Sequence, residues 1–255
     1  MKISIITLFP EVFELIINSS ILKRAQKKGK VSFELINLRQ FGEGRHQIVD
    51  GKLYGGGAGM LLRADILTKA LKSVTFNVPA TNHPEGPQLL TILTSASGKP
   101  YKQSNARNLS KLDHLIIVCG RYEGVDQRFI DKYVDCEFSI GDYVLTGGEI
   151  PAMVILDSIT RLIPGVLEKP EAVINESFSD YTSSSLSLRA EGLNAKPYTL
   201  LEGPQYTRPE EFEGLKVPEV LLSGNHGEIA KWRKEQSLKK TKKIRPDLLK
   251  ATQKD

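Results

Sequence analysis

Hydrophobic and polar positions divide the first 165 residues into short apolar runs separated by segments of helical period. The apolar runs predict strands at 3–8, 31–38, 89–93, 115–119 and 137–140. The segments between them predict helices at 11–29, at 64–74, up to residue 112, at 126–134 and at 151–162. Because strands alternate with helices, the pattern predicts an α/β fold whose parallel sheet is covered on both faces.

The pattern changes after Gly165. Residues 167–200 are rich in serine and lack an apolar period, which predicts a flexible linker. Residues 207–250 predict a small helical domain, made from RPEEFEGL, VPEVLLSG and a long helix for which Asn225 is a candidate N-cap. We therefore expect an α/β domain at 1–165, a linker at 166–200 and a helical domain at 201–255.

Composition is that of an ordinary globular protein, with 40% hydrophobic and 25% charged residues. No apolar run approaches the roughly 20 residues that cross a bilayer, so no membrane partner is expected. Pro10 and Glu11 interrupt the N-terminal apolar run, which predicts a first strand rather than a signal peptide. The two cysteines, Cys119 and Cys136, have no metal-ligand spacing, and a cytoplasmic location is expected.

The net charge of +5 is concentrated near the C-terminal end. From residue 228 onward the chain has 10 Lys or Arg against 4 Asp or Glu, a net charge of +6, which leaves −1 for the remainder. A basic segment beside a nearly neutral body is typical of nucleic-acid binders. A solvated surface helix would have the same composition, so the charge favours an RNA partner without identifying it.

Two glycine-containing loops follow predicted strands, and both are candidate ligand sites. GRYEGVD follows the strand ending at Cys119, and SIGDYVLTGGE contains Gly141, Gly147 and Gly148. Glycine lets the backbone approach a ligand closely because no Cβ intervenes. Open α/β sheets bind ligands at the carboxyl ends of their strands, so the pattern favours a site built from both loops. For either loop alone, a strand followed by a glycine turn is the simpler interpretation.

A third glycine-rich stretch, YGGGAGM, lies in a long loop predicted at 39–60. It is not a phosphate-binding P-loop, because no Lys-Ser or Lys-Thr pair follows the glycines. It is not a dinucleotide fingerprint, because Met60 stands where the third glycine would be. Arg45, His46 and Asp50 precede the glycines, and we expect this loop to face a substrate.

Seven blocks occur in order along nearly the whole chain: LFPEVF, YGGGAGM, VCGRYEG, SIGDYVLTGGE, RLIPGVL, YTRP and LLSGNH. They resemble the bacterial tRNA (guanine-N1)-methyltransferase family, TrmD, of the SPOUT superfamily. The resemblance implies a SPOUT catalytic domain with a deep trefoil knot at 1–165 and a tRNA-binding domain at 201–255. It also implies a homodimer with active sites at the interface. The implied activity is methylation of N1 of the guanine immediately 3′ of the anticodon in tRNA.

The methyl donor implied by the resemblance is S-adenosylmethionine, held where loops beginning near Thr94, Gly120 and Ile140 converge. The more widespread methyltransferase class has an acidic residue and a Gly-x-Gly-x-Gly turn after its first strand, and this sequence has neither. The residues implied to contact the donor are Gly120, Ile140, Gly141, Asp142, Tyr143, Val144, Leu145 and Gly147. Those implied to face the tRNA are Glu123, Arg45, His46 and Asp50. The family's activity is also helped by Mg2+, although the sequence offers no set of side chains that would enclose a metal.

The chemistry at N1 of guanine requires two groups from the protein. N1 carries a proton, and removing it moves negative charge onto O6, so the site needs a carboxylate base and a cationic donor. Arg161, at the end of the predicted helix 151–162, matches the family's catalytic arginine. An arginine that interacts with the helix C-terminus is the alternative interpretation of Arg161.

The expected base departs from the family pattern. The family usually has its aspartate in Asp-Ser-Phe, whereas this chain has Glu176 before Ser177 and Phe178. Glu176 is therefore the expected base, with Asp180 and Glu202 as alternatives. Two other functions stay open at this point. One is an RNA-binding factor without activity, and the other is a related methyltransferase that acts on another RNA or on a ribose hydroxyl.

Overall fold

A computed structural model describes residues 1–75, 88–174, 176–181 and 198–249 of the chain. The predicted connection at 77–88 lies outside these residues except for Gln88, and so does the serine-rich stretch at 182–197. The chain divides into two units, Met1–Glu168 and Lys169–Asp255.

A parallel sheet forms the centre of the first unit. The described strands of this unit are β1 (Lys2–Thr7), β2 (Ser32–Asn37), β3 (Asp50–Lys52), β4 (Met60–Leu62), β5 (Leu89–Pro100), β6 (His114–Cys119) and β7 (Cys136–Ser139). Five of them pair in parallel in the order β2-β1-β6-β5-β7. The α/β class predicted from the alternating pattern is thus confirmed. The other two, β3 and β4, pair as an antiparallel hairpin inside the predicted loop 39–60.

Helices cover both faces of this sheet. They are α1 (Glu11–Ile17), α2 (Ser20–Lys27), α3 (Ala64–Thr75), α4 (Gln103–Leu109), α5 (Gln127–Tyr133) and α6 (Glu149–Thr160). Ile3 and Ile5 of β1 join one core cluster with Ile155 of α6, whereas Ile6 joins another with Phe129 of α5. Successive strand residues point to opposite faces, so β1 contributes isoleucines to both cores, and its polar residues Ser4 and Thr7 are buried as well.

The single helix predicted at 11–29 is wrong, because α1 and α2 are separate. The Asn18 side-chain amide donates to the Glu14 carbonyl at 2.9 Å, and the Ser19 hydroxyl donates to the Ile16 carbonyl at 2.9 Å. Ser20 adopts a φ of +42°. Short polar side chains that bond nearby carbonyls compete with helical hydrogen bonds, and those of Asn18 and Ser19 do so where α1 ends.

Strand β5 leaves and rejoins the sheet. Thr94 and Lys99 both pair with Phe138 of β7, so residues 95–98 form an irregular segment between two paired parts of β5. The predicted polar loop after Thr94 is therefore present, but the strand continues beyond it to Pro100.

The second unit has short strands and a long helix. Its described elements are β8 (Ser179–Tyr181), β9 (Tyr198–Leu200), β10 (Glu211–Phe212), β11 (Leu215–Lys216), α7 (Glu219–Leu222) and α8 (His226–Ile244). β8 and β9 pair antiparallel, so the segment 166–200 that was expected to be a linker contains two paired strands. Single turns of 3₁₀ helix lie at Leu38–Phe41 in the first unit and at Pro170–Val173 and Pro246–Leu249 in the second.

None of the helices in the described ranges combines the length and apolar character that a membrane crossing needs.

The stretch RPEEFEGL was predicted to be helical, and this prediction is wrong. It contains the hairpin of β10 and β11, whose connecting residues Glu213 and Gly214 have φ values of +51° and +79°. Two consecutive positive φ angles are typical of the tightest hairpin turns, and an acidic residue followed by glycine suits them. The predicted cap of α8 is confirmed, because the Asn225 side chain accepts from the backbone N–H of Gly227 at 3.1 Å.

Candidate active site

A cleft of about 450 Å³ opens in the first unit beside the carboxyl ends of β5, β6 and β7. Its lining comes from residues 93–97, 120–125, 137–141 and 143–148, with contributions from α5 and α6. These segments contain the three loops that the resemblance brings together. The position follows the general rule that open parallel sheets bind ligands where their strands end.

Most of the residues expected to hold the methyl donor line this cleft. They are Gly120, Ile140, Gly141, Tyr143, Val144, Leu145 and Gly147. Asp142 lies in the same loop with an exposed side chain, outside the cleft lining. Glu123, which was expected to face the RNA, lines the cleft as well.

One wall of the cleft is apolar and exposed. The side chains of Tyr143, Val144 and Leu145 are 55%, 86% and 37% exposed. A Cβ on Gly141 would overlap the Tyr143 ring, so the ring lies directly against the glycine backbone. Contiguous exposed apolar side chains beside a cleft are typical of a ligand-binding surface.

Gly148, which the sequence analysis did not select, connects the lining segments of the cleft through hydrogen bonds. Its N–H donates to the Gly120 carbonyl at 2.7 Å, and its own carbonyl accepts from the Thr94 hydroxyl at 3.1 Å. A Cβ at residue 148 would overlap the Thr94 Oγ1 and lie 2.6 Å from the Gly120 nitrogen. The φ angle is −84°, which any residue adopts, so close approach alone requires glycine here.

Glu149 is a second residue that the sequence analysis missed. It is buried at the start of α6, where its carboxylate accepts from the Thr7 hydroxyl at 3.0 Å and lies 3.3 Å from the Arg121 guanidinium. Burial raises the pKa of the Cys119 thiol, and the nearby Glu149 carboxylate raises it further. Cys119 therefore stays protonated near neutral pH, which supports a packing role.

The glycine-rich YGGGAGM loop lies against Glu123. The Glu123 N–H donates to the Met60 carbonyl at 3.0 Å, and the Leu62 N–H donates to the Gly124 carbonyl at 3.0 Å. A Cβ at Gly59 would overlap the Glu123 side chain. The fold thus brings this loop to the cleft that contains Glu123.

The other residues expected to face the RNA lie elsewhere in the first unit. Arg45 and His46 are exposed in a turn that the bridge between Glu43 and Ile48 closes. Asp50, in β3, lines a second cleft of about 700 Å³. The structure does not place these three side chains in the first cleft.

The two expected catalytic residues belong to different units. Arg161 follows α6 directly, where its N–H donates to the Asp157 carbonyl at 3.3 Å. Glu176 lies in the second unit, just before β8, and its carbonyl accepts from the Ser179 N–H at 3.2 Å. Within the described ranges, no three His, Cys, Asp or Glu side chains are grouped so that they could hold a metal ion.

Hydrogen bonds hold the Glu176 segment against β9 and the residues that follow it. The Phe178 N–H donates to the Leu200 carbonyl at 2.8 Å, and the Glu202 N–H donates to the Ser177 hydroxyl at 3.0 Å. The alternative base Glu202 therefore lies close to Glu176 along this backbone pairing.

Helix α8 supports that strand in turn. The Leu201 N–H donates to the buried Thr241 hydroxyl at 2.9 Å, and the Lys240 ammonium donates to the Glu202 carbonyl at 2.9 Å. The long basic helix thus has a structural role in holding the Glu176 segment, which its charge alone does not predict.

Comparison with known proteins gives one family. The family model described as tRNA (Guanine-1)-methyltransferase TrmD matches residues 1–251. A protein of Carboxydothermus hydrogenoformans named tRNA (guanine-N(1)-)-methyltransferase is 49% identical over 250 residues, covering 98% of this chain and 88% of that protein. A protein of the same name from Bacillus pumilus is 46% identical over 249 residues, covering 98% of this chain and 92% of the relative. The chain therefore belongs to the tRNA (guanine-1)-methyltransferase family TrmD.

Proposed function

We propose that the protein transfers a methyl group from S-adenosylmethionine to N1 of the guanine immediately 3′ of the anticodon in tRNA. Family membership along almost the whole chain supports the reaction. The observation that carries the proposal is the cleft in which the loops beginning near Thr94, Gly120 and Ile140 converge at the carboxyl ends of the parallel strands.

The cleft fits the methyl donor in size and in chemistry. A volume of about 450 Å³ suits a ligand of nucleoside size. Gly120, Gly141 and Gly147 would bring backbone close to the donor, and Tyr143 and Leu145 would cover its apolar parts. S-adenosylmethionine, when bound, supplies an electrophilic methyl group.

Two side chains activate the guanine in this proposal. Glu176 accepts the proton from N1, which makes that nitrogen nucleophilic. Arg161 then stabilises the negative charge that develops on O6, because its guanidinium stays charged and offers several donors in a fixed plane. Glu123, in the same cleft as the donor loops, contacts the target base.

The base assignment has a direct test in single-turnover methylation of tRNA. Removing the carboxylate in Glu176→Gln should slow the reaction by on the order of a hundredfold, while calorimetry shows unchanged affinity for S-adenosylmethionine. Glu176→Asp should stay active, because either acid accepts a proton once ionised. A wild-type rate for Glu176→Gln together with a slow Asp180→Asn variant would move the base to Asp180.

Helix α8 is proposed to contact tRNA through its exposed lysines. Charge reversal at Lys239 and Lys243 should weaken tRNA binding and flatten its salt dependence. Lys240 is left intact in this test because its ammonium supports the Glu202 carbonyl. Reversal at the exposed Lys23 of α2 is the matched control, and an equal loss of tRNA affinity there would contradict a specific role for α8.

The finer features of the family are proposed as well. They are a SPOUT trefoil knot in a catalytic domain at 1–165, a linker at 166–200 and a helical domain at 201–255. A cytoplasmic homodimer with active sites at its interface, helped by Mg2+, completes the proposal. Sedimentation of the purified protein should give twice the chain mass of 28.3 kDa. Mass spectrometry of tRNA treated with labelled donor tests the reaction itself, and a methyl group on ribose would overturn it.

A further inference from the structure

An ion pair between Arg121 and Glu149 lies beside the cleft and has no part in the chemistry proposed above. The Arg121 Nη1 lies 3.3 Å from the Glu149 Oε2, and the two side chains are 26% and 7% exposed. A carboxylate this deeply buried needs a cation and hydrogen-bond donors to remain charged.

Three elements supply the surroundings of this carboxylate. From β1, the Thr7 hydroxyl donates to the Glu149 Oε1 at 3.0 Å. From β6 and the loop after it come the Cys119 thiol and the Arg121 guanidinium, which also lies 4.6 Å from the centre of the Phe9 ring. Arg121 is thus the cation that faces Glu149 among the described residues, and each carboxylate oxygen has a partner.

Arg121 is also one of the residues that line the cleft. Arg121 and Gly147 form an antiparallel bridge between the two glycine-containing loops. A Cβ on Gly147 would overlap the Arg121 Nη1 and come into contact with the Glu149 carboxylate. The two side chains therefore pack closely against the backbone of Gly147.

We propose that Arg121 and Glu149 are a positioning pair that sets the separation of loops 120–125 and 140–148 for binding of the methyl donor. This inference rests on the proposed function of the cleft. Neither side chain reacts. The pair holds the backbone groups that line the donor site, and the cost of burying the carboxylate is offset only while Arg121 is present.

The substitution Arg121→Met should make donor binding depend on pH. Without its cation the buried Glu149 carboxylate favours the protonated form, so the loops keep their separation only when Glu149 has bound a proton. The affinity for S-adenosylmethionine should then be lower at pH 8.5 than at pH 6 in the variant. In the wild-type protein the affinity should stay level between pH 6 and pH 8.5, apart from titration of groups that both proteins share.

The double variant Arg121→Met with Glu149→Gln removes both charges and should bind the donor without this pH dependence. A purely structural defect would persist in the double variant and would not respond to pH. Arg128→Met removes the exposed Arg128 guanidinium, which lies 2.7 Å from the Asp126 carboxylate outside the cleft lining, and should leave donor affinity unchanged at every pH. If Arg121→Met does not fold, Arg121→Lys is the second variant. It keeps the positive charge but lacks the planar guanidinium, and it should weaken donor binding at all pH values.

Calorimetry separates the possible failures. A wild-type protein that does not bind S-adenosylmethionine would overturn the proposed function of the cleft. If the wild-type protein binds S-adenosylmethionine and neither Arg121→Met nor Glu149→Gln changes that affinity, the positioning pair is overturned while the proposed function of the cleft stands. Losses that simply add in the double variant, at every pH, would overturn it too.

Discussion

Replacing Gly148 by alanine tests whether the cleft depends on close backbone approach. The added Cβ would lie 2.6 Å from the Gly120 nitrogen and 3.0 Å from the Cys119 Cα, and it would overlap the Thr94 hydroxyl. Ordinary contacts between such atoms are about 3.5 Å, so the backbone of one loop must move by about 1 Å. That movement breaks the hydrogen bonds that join Gly148 to Gly120 and to Thr94.

The expected loss of stability follows from these contacts. Two buried hydrogen bonds at about 1 kcal/mol each, together with overpacking of about 1–3 kcal/mol, give a loss of about 3–5 kcal/mol in the free energy of unfolding. In urea unfolding followed by circular dichroism, the midpoint should fall by about 1–2 M. Affinity for S-adenosylmethionine should fall as well, because the displaced loops line the donor site.

A matched control distinguishes close approach from a general intolerance of alanine. At Gly51 the nearest atom to an added Cβ is the Arg63 Cγ at 3.8 Å, which is an ordinary contact. Gly51→Ala should therefore unfold at the wild-type midpoint or slightly above it. The reasoning is refuted if Gly148→Ala behaves like Gly51→Ala in both unfolding and donor binding.

Three further predictions use other features of the two units. Gly141→Val should displace the Tyr143 ring and weaken donor binding by about tenfold in calorimetry, a change of about 1.4 kcal/mol; made in a Tyr143→Ala protein, which has no ring to displace, the same substitution should cost less affinity, and an equal cost would show that the ring is not the obstacle. Burial, helped by a nearby lysine charge, lowers the pKa of His114, so the folded state favours the neutral imidazole and the free energy of unfolding should fall as pH drops below about 6.5. The His114→Gln variant should lack that slope between pH 7 and pH 5.5, and an unchanged slope would assign it to another group. Thr241→Val should loosen the segment that holds Glu176 and slow single-turnover methylation while tRNA affinity is retained; a loss of tRNA affinity instead would favour a direct RNA contact.

The sequence predicts the central strands well because they are rich in buried apolar residues. Strand β6 is apolar from Leu115 to Cys119, and β1 has three isoleucines, so local pattern and tertiary position agree. The breaks inside predicted elements are harder to predict. The end of α1 depends on the hydrogen bonds of Asn18 and Ser19, and the β10–β11 hairpin depends on two positive φ angles in a stretch whose composition suits a helix.

The cleft was predicted less completely, because its structure depends on contacts between distant positions. Thr94 and Gly148 are 54 residues apart, and only the fold shows that the threonine hydroxyl leaves no room for a Cβ at residue 148. Glu149 is equally hard to recognise, since an acidic residue in the first turn of a helix is usually exposed and favourable there. The two adjacent glycines before it were the local feature that could have directed attention to this position.

The strand order has a consequence for how the chain is made. β1 lies between β2 and β6, and Lys2 pairs with both Ser32 and His114. Once β2 has been synthesised, the ribosome must still add residues 38–119 to complete β6. This takes about 4–16 s at roughly 5–20 residues per second. During that interval one edge of β1 and its isoleucines lack their neighbouring strand. Sheets with such distant pairings fold slowly, so we expect each newly made chain to pass through a period in which this unpaired strand edge can aggregate.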